Sequence, residues 1–307
     1  MSGVALAALS GCVALVMAVA GAYLARVRMP RPPVGVYEPA DIVLLCVGIV
    51  LAPLLYLELP GTAVAAVFGV VLGLAVQFTL APVVAARWPG AGWATATTWL
   101  LAAAGCAVTA LLHDRPTGVR VGTDLLIAVA VVGVANLWTQ SGMRAAHVAA
   151  LAAALTCYDL VATALTDVTL RFATRVQGRP FAPMLALTGG RHPVSVGLGD
   201  LLLLVLFPLV AAKAYGRVAA LVAGAVGVAV TGAIGALFAV GALTSGFPLL
   251  TALGPLIVAQ HLYWSRRLGG ERTTAQWRAA RGGVRPRPGG VRPRPGGVRS
   301  GAAVRRG

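Results

Sequence analysis

Two aspartates stand inside apolar stretches that are long enough to cross a lipid bilayer. Asp159 lies near the end of the stretch from Ala145 to Thr166, and Asp200 lies near the start of the stretch from Val194 to Ala214. An ionisable group inside a membrane is costly, so each acid is a candidate functional residue. Two carboxylates held together share a proton, and such a pair can activate water to hydrolyse a peptide bond.

The positions of the two acids predict that they meet. A polar segment joins the end of the first stretch to the start of the second, so both acids lie near the same membrane face. We expect each carboxylate about 10 Å, or two helical turns, below that face. Acids at one depth on consecutive antiparallel helices can form a catalytic pair, Asp159 with Asp200.

Short motifs surround both acids. Tyr158 precedes the first, and Gly197, Leu198 and Gly199 precede the second. The two glycines, which lack side chains, would let the start of the helix loosen and let a substrate backbone approach closely. Tyr158 is expected to orient the first carboxylate or to close the site. These four residues are therefore predicted to support the active site.

A third motif, Pro248-Leu249-Leu250, opens the last apolar stretch and is followed by Pro255. Together the three motifs resemble the YD, GxGD and PAL motifs of the presenilin and signal peptide peptidase family of intramembrane aspartyl proteases. The chain departs from that family at Leu249, where the family has alanine.

The resemblance implies an aspartic endopeptidase that needs no cofactor or metal ion. Asp159 and Asp200 would be its catalytic residues, and Pro248, Leu249 and Leu250 would help to bind an unwound substrate strand. The substrates implied are single-span membrane proteins or remnant signal peptides. The resemblance also implies a presenilin-like arrangement of about nine transmembrane helices.

Composition independently predicts an all-α integral membrane protein. The 307 residues are 58% hydrophobic and 11% charged, with a mean hydropathy of +0.85, which is typical of a chain solvated by lipid. Four cysteines lie in apolar stretches without metal-ligand spacing, so neither a disulfide framework nor a zinc site is indicated. Apolar length predicts nine spans: Val4–Leu24, Ala40–Tyr56, Thr62–Val83, Trp93–Leu112, Val121–Trp138, Ala145–Thr166, Val194–Ala214, Val218–Leu243 and Pro248–Trp264.

We expect three parts along the chain: a scaffold of helices 1–5 in residues 1–143, catalytic helices 6–9 in residues 144–265, and a basic tail in residues 266–307. The tail repeats Gly-Gly-Val-Arg-Pro-Arg-Pro, a composition that predicts disorder. Its arginines favour contact with anionic lipids, and no aromatic platform accompanies them to bind nucleic acid.

The twelve arginines after the last span place the C-terminus in the cytoplasm and the N-terminus outside, by the positive-inside rule. Lys213 is the only lysine among 25 basic residues, which with the abundance of Ala, Gly, Val and Arg favours a bacterial genome. The expected location is therefore the plasma membrane.

Two other functions fit some of these features. A proton-coupled transporter or channel could use the same two acids as relay sites. A type IV prepilin peptidase also has a GxGD motif, although the cysteine-rich cytoplasmic segment common in that family has no counterpart here. Asp124, near the start of the fifth stretch, has no motif around it and is expected to be structural.

Overall fold

The computed structural model describes residues 3–30, 38–166, 168–176, 178–186, 195–243 and 249–281. These residues form eleven α-helices, one π-helical turn and a two-stranded antiparallel sheet. In chain order they are α1 Gly3–Arg26, α2 Pro39–Glu58, α3 Gly61–Arg87, α4 Trp93–Leu111, α5 Pro116–Ser141, α6 Ala145–Leu160, the π-turn Val161–Leu165, α7 Val168–Val176, β1 Met184–Leu185, β2 Val196–Gly197, α8 Leu198–Ala214, α9 Arg217–Ala239, α10 Leu249–Leu268 and α11 Thr274–Arg281.

Within the described residues, seven helices are long and apolar enough to cross a membrane: α1 to α6 and α9. Large apolar side chains on their outer faces are exposed, as Leu44 and Leu55 are on α2 and Leu100 is on α4. Such a surface is stable in lipid and unfavourable in water. The chain is therefore a multi-pass membrane protein with an all-α fold.

Helices α5 and α8 form the centre of the bundle. Both pack against each other and against α1, and their side chains join one continuous hydrophobic core that crosses the predicted boundary at residue 143. Polar side chains of α5 bind backbone carbonyls of α1 inside this core: the Asn136 amide donates to Ala20 at 3.1 Å, and the Gln140 amide donates to Val27 at 3.1 Å. These bonds satisfy polar groups that have no access to water.

Local sequence sets where the central helices begin and end. Pro116 occupies the first turn of α5, where its missing N–H costs no hydrogen bond. Gly142, with φ of 136°, ends α5, and Gly216, with φ of 104°, separates α8 from α9. The turn at Gly216 places α9 beside α8, whereas α6, which follows the turn at Gly142, packs against α10, α8 and α2.

The bundle has two polar ends, which we call the Asp159 end and the Lys213 end. At the Lys213 end, the Met29 amide donates to the Gln140 side chain at 3.0 Å, which joins the ends of α1 and α5. At the Asp159 end, the Arg175 guanidinium of α7 donates to the carbonyl of Leu59, just after α2. Successive long helices therefore run between these two ends in alternating directions.

The chain beyond residue 266 departs from the predicted tail. Helix α10 continues to Leu268, and α11 packs against α8. The disorder prediction was wrong for this part because the segment binds exposed helix ends: Arg278 donates to the carbonyl of Gln140 at 2.7 Å, and Arg272 donates to the carbonyl of Ala212 at 3.1 Å. Residues 282–307, which contain the Arg-Pro repeats, lie outside the described residues.

Candidate active site

Asp159 is the penultimate residue of α6 and is half-buried. It stands where the helix widens into the π-turn Val161–Leu165. Such turns are rare and occur frequently at functional sites. The Thr163 hydroxyl, within this turn, donates a long hydrogen bond of 3.5 Å to the Asp159 carboxylate. Thr163 is therefore a site residue that the sequence motifs do not identify.

The start of α10 completes the surroundings of Asp159. The backbone amide of Leu250, in the first turn of α10, interacts with the Asp159 carboxylate. The first amides of a helix have no partner within the helix and carry partial positive charge, which favours a carboxylate. The Thr156 hydroxyl shares its one proton between the Ala152 carbonyl of its own helix, at 2.8 Å, and the Leu250 carbonyl, at 3.0 Å. Both backbone polar groups of Leu250 thus face α6.

Close packing holds α10 against α6 in this position. A side chain on Gly254 would collide with the Thr156 hydroxyl and would come within 3.0 Å of the Ala152 carbonyl. Small residues allow two membrane helices to approach closely where lipid gives no hydrophobic drive for association. Gly254 therefore permits the contact that brings Leu250 to Asp159.

Asp200 lies in the first turn of α8 and interacts with the backbone amide of Gly197, the residue that caps this helix. An acid three residues after the cap commonly binds the amide of the capping residue and stabilises the start of a helix. The position corrects the predicted depth: α8 begins at Leu198, so Asp200 is in the first turn and not two turns inside. The shorter helix reflects pairing of Val196 and Gly197 in β2.

The two acids lie together at one end of the bundle. Helices α6 and α8 pack against each other, and Asp159 and Asp200 are near enough for their charges to interact. One backbone amide faces each carboxyl: that of Leu250 at Asp159 and that of Gly197 at Asp200. Two neighbouring carboxyl groups hold one proton more readily than none, and such a pair can serve as general acid and general base.

A short hairpin positions the Asp200 turn. Strand β1 pairs with β2, with Met184 opposite Gly197, and the Leu198 amide donates to the Pro183 carbonyl at 2.9 Å. The carboxylate of Asp124 on α5 holds the end of β1, because it accepts a hydrogen bond of 2.9 Å from the Ala186 amide. Asp124 therefore connects the core to the turn that carries Asp200, which is a structural role.

The remaining predicted site residues have distinct surroundings. Tyr158 is half-buried beside Asp159, and its hydroxyl makes no hydrogen bond to a described residue. Leu198 and Gly199 form the first residues of α8, and Gly199 is exposed with open space where a side chain would point. Leu249 is buried at the start of α10. Pro248 lies outside the described residues.

Thr156, Thr163 and Gly254 belong to the site although no motif marks them. Thr156 and Thr163 stand three residues before and four residues after Asp159, so helical spacing alone places all three on one face. That spacing was visible in the sequence. Gly254 gave no comparable signal, because 38 glycines occur in the chain.

No protein-family model matches the chain, and no curated protein matches it.

Proposed function

We propose that the protein is an intramembrane aspartyl endopeptidase that hydrolyses peptide bonds within or next to transmembrane helices. The observation that carries this proposal is the meeting of three separate segments at the Asp159 end: the last turn of α6, the first turn of α8 and the first turn of α10. Each of these segments carries one of the three motifs that resemble the presenilin and signal peptide peptidase family.

In the proposed mechanism, the two carboxyl groups share one proton. The ionised carboxylate removes a proton from water as the water oxygen attacks the scissile carbonyl carbon, while the protonated carboxyl donates its proton to the carbonyl oxygen. The carboxyl that took the proton from water then gives it to the leaving nitrogen, the other carboxylate takes a proton from one hydroxyl of the tetrahedral intermediate, and the C–N bond breaks. The pair acts as a unit, so neither role belongs permanently to Asp159 or to Asp200.

The surroundings of the acids favour a substrate that enters from the bilayer. Leu160 and Val161, which directly follow Asp159, are 44% and 50% exposed, so the acid lies near the lipid-facing surface of the bundle. The β1–β2 hairpin lies next to Asp200, and the edge of a sheet can pair with an extended peptide. A helix has to unwind before hydrolysis, and an extended strand is the product of that unwinding.

We further propose nine transmembrane helices, with α8 and α10 added to the seven long apolar helices. Helix α8 has 17 residues and is buried among other helices. A helix of this length can span a bilayer that becomes thinner around it. The N-terminus would lie outside and the Lys213 end in the cytoplasm of the plasma membrane. The active site would then face the outer half of the membrane. A remnant signal peptide with its N-terminus in the cytoplasm has its C-terminal half at that depth.

The direct test is hydrolysis by the purified protein in lipid vesicles. A synthetic signal-peptide span is incubated with it in water enriched in heavy oxygen, and the products are analysed by mass spectrometry. Attack by water predicts one heavy oxygen in the new carboxyl terminus and no covalent enzyme intermediate. Failure to cut any of a panel of spans, together with pH-driven solute flux into the same vesicles, would instead establish the transporter alternative.

A further inference from the structure

A cavity of about 250 Å³ lies at the Lys213 end, on the side of the bundle opposite the two acids. It is bounded by the turn between α5 and α6, the end of α8 and the start of α11. Water in the liquid occupies about 30 Å³ per molecule, so this volume accommodates a polyatomic ion with some of its hydration. The cavity is separate from the proposed peptidase site and its role does not depend on that function.

Three cationic side chains line the cavity. Lys213 is 1% exposed, and its ammonium donates to the carbonyls of Thr139 at 2.9 Å and of Met143. Arg144 and Arg272 are exposed and complete the charged lining. Among the described residues, no carboxylate lies within salt-bridge distance of these three cations.

The charged groups around the cavity do not neutralise its three cations. Arg144 and Arg278 both act on Lys213 as like charges, and Glu271 is the acid that acts on it. The Glu271 carboxylate is already bound to the Ala145 amide at the start of α6, at 2.7 Å. One engaged carboxylate therefore faces several cations in a partly buried site, where charge is poorly screened.

Hydroxyl groups supply neutral donors beside the cations. The Thr273 hydroxyl accepts a hydrogen bond from the backbone amide of Gln276 at 3.2 Å, and the Thr274 hydroxyl accepts one from the Lys213 ammonium at 3.3 Å. Each of these hydroxyls keeps its own proton free to donate, because accepting a bond uses only a lone pair. Ser141, also in the lining, is a third hydroxyl.

We propose that this cavity binds a phosphate group. Arginine and hydroxyl donors around one space match the several acceptor oxygens of a phosphate, and arginine binds phosphate through paired hydrogen bonds. Because the cavity lies between the ends of membrane-spanning helices, the phosphate belongs either to an anionic lipid headgroup or to a free phosphate ion. A bound phosphate would join the α5–α6 turn to the Glu271–Arg281 segment through Arg144 and Arg272.

The test compares Arg144→Gln with Arg266→Gln in the full-length protein purified in detergent and stripped of lipid. Both changes remove one exposed arginine at the Lys213 end. Only Arg144 lines the cavity, and its side chain makes no hydrogen bond to a described residue, so we expect its replacement to leave the fold intact. The melting temperature is followed against inorganic phosphate, with chloride at equal ionic strength, and against short-chain phosphatidylglycerol, with diacylglycerol as the uncharged reference.

A saturable rise in melting temperature with inorganic phosphate, with the midpoint shifted about tenfold higher by Arg144→Gln and unchanged by Arg266→Gln, supports a free-phosphate site. The same pattern with phosphatidylglycerol and not with inorganic phosphate supports a lipid headgroup site. The proposal is overturned if the unaltered protein shows no saturable rise with either probe. Equal weakening by the two substitutions also overturns it, because that result reflects overall charge alone.

Discussion

The backbone of Leu250 contacts α6 through both of its polar groups: its amide interacts with Asp159, and its carbonyl accepts a hydrogen bond from Thr156. The first turn of α10 is thereby fixed in position and in rotation relative to the acid. In the proposed peptidase, this contact gives the third motif a definite task. It holds a helix amide at one of the two reacting carboxyl groups.

Replacing either acid tests the catalytic pair. Asp159→Asn and Asp200→Asn keep the shape of the side chain and an oxygen that can accept from the nearby amide, so we expect both variants to fold and insert. Each should lose at least about 100-fold in the rate of span hydrolysis, because an amide cannot accept or transfer the shared proton. Rates are measured with a single-span reporter in vesicles.

Asp124→Asn is the matched control for these two substitutions. Its amide oxygen can still accept from the Ala186 amide, so the hairpin stays in place and activity should fall far less. If Asp200→Asn retained hydrolysis at the level of Asp124→Asn, the proposed pair would be incorrect.

The two glycines before Asp200 should respond differently to alanine. A side chain on Gly197 would lie 3.1 Å from the Asp200 carboxylate oxygen, whereas a side chain on Gly199 would meet no atom within 4 Å. We expect Gly197→Ala to displace the carboxylate and to lower kcat by about tenfold, with little change in melting temperature. Gly199→Ala should leave both quantities close to those of the unaltered protein, and a larger kcat loss in Gly199→Ala would contradict this geometry.

Thr156→Val should weaken the link between α6 and α10. The substitution preserves side-chain volume and removes the proton that Thr156 shares between the Ala152 and Leu250 carbonyls, which is a loss of at most about 1 kcal/mol in a membrane protein. The rate of span hydrolysis should fall even though the protein remains folded, because the Leu250 amide is no longer held at Asp159. Thr98→Val provides the comparison, because Thr98 is a buried threonine of α4 whose hydroxyl, among the described residues, binds only the Thr95 carbonyl of its own helix. Equal effects of the two substitutions on activity would show that the α10 contact does not serve the site.

Two truncations separate the packed part of the C-terminal region from its repeats. Removing residues 282–307 should preserve the melting temperature and hydrolysis, because glycine and paired prolines cannot form a packed helix. Removing residues 271–307 deletes the charged hydrogen bonds of Glu271, Arg272 and Arg278, and should cost at least about 2 kcal/mol in unfolding free energy. The free energies are obtained from denaturant unfolding in mixed micelles. Equal stability of the two truncated proteins would contradict the packing role of α11.

The proposed orientation predicts the labelling of two introduced cysteines. Thr174 on α7 and Ala280 on α11 are both exposed and lie at opposite ends of the bundle. With the native cysteines replaced by serine, Thr174→Cys should react with an impermeant thiol reagent in intact cells, and Ala280→Cys only after permeabilisation. The reverse pattern would invert the orientation and leave the chemistry of the site unchanged.

Hydrophobic length predicted the helices well because lipid imposes a minimum apolar length on every span. Each predicted stretch corresponds to one long helix, and the predicted ends mostly fall within a few residues of the observed ones. The start of α8 differs in kind from the other shifts, because a strand precedes the helix. Residues 196–197 are apolar enough for a helix and form a strand, because they pair with β1, which precedes them in the chain.

The sequence predicts the parts of the candidate site that depend on residue type. It does not predict the parts that depend on tertiary contacts. Asp159 and Asp200 stood out because charges are rare in apolar stretches. The binding of Leu250 to α6 depends on the fit of Gly254 against Thr156, which composition does not encode. The packing of α11 was missed for a similar reason: its arginines bind carbonyls at the ends of α5 and α8, and only the fold brings those carbonyls there.

The order in which the segments are synthesised gives the contact between Leu250 and Asp159 a protective consequence. The ribosome produces α6 and α8 before α10, so a partly inserted nascent chain holds both acids without the amide that faces Asp159. In the proposed peptidase, the site is therefore incomplete until the last long helix has joined the bundle. Unfinished chains would then be unable to cut neighbouring spans during insertion, without any separate inhibitory segment.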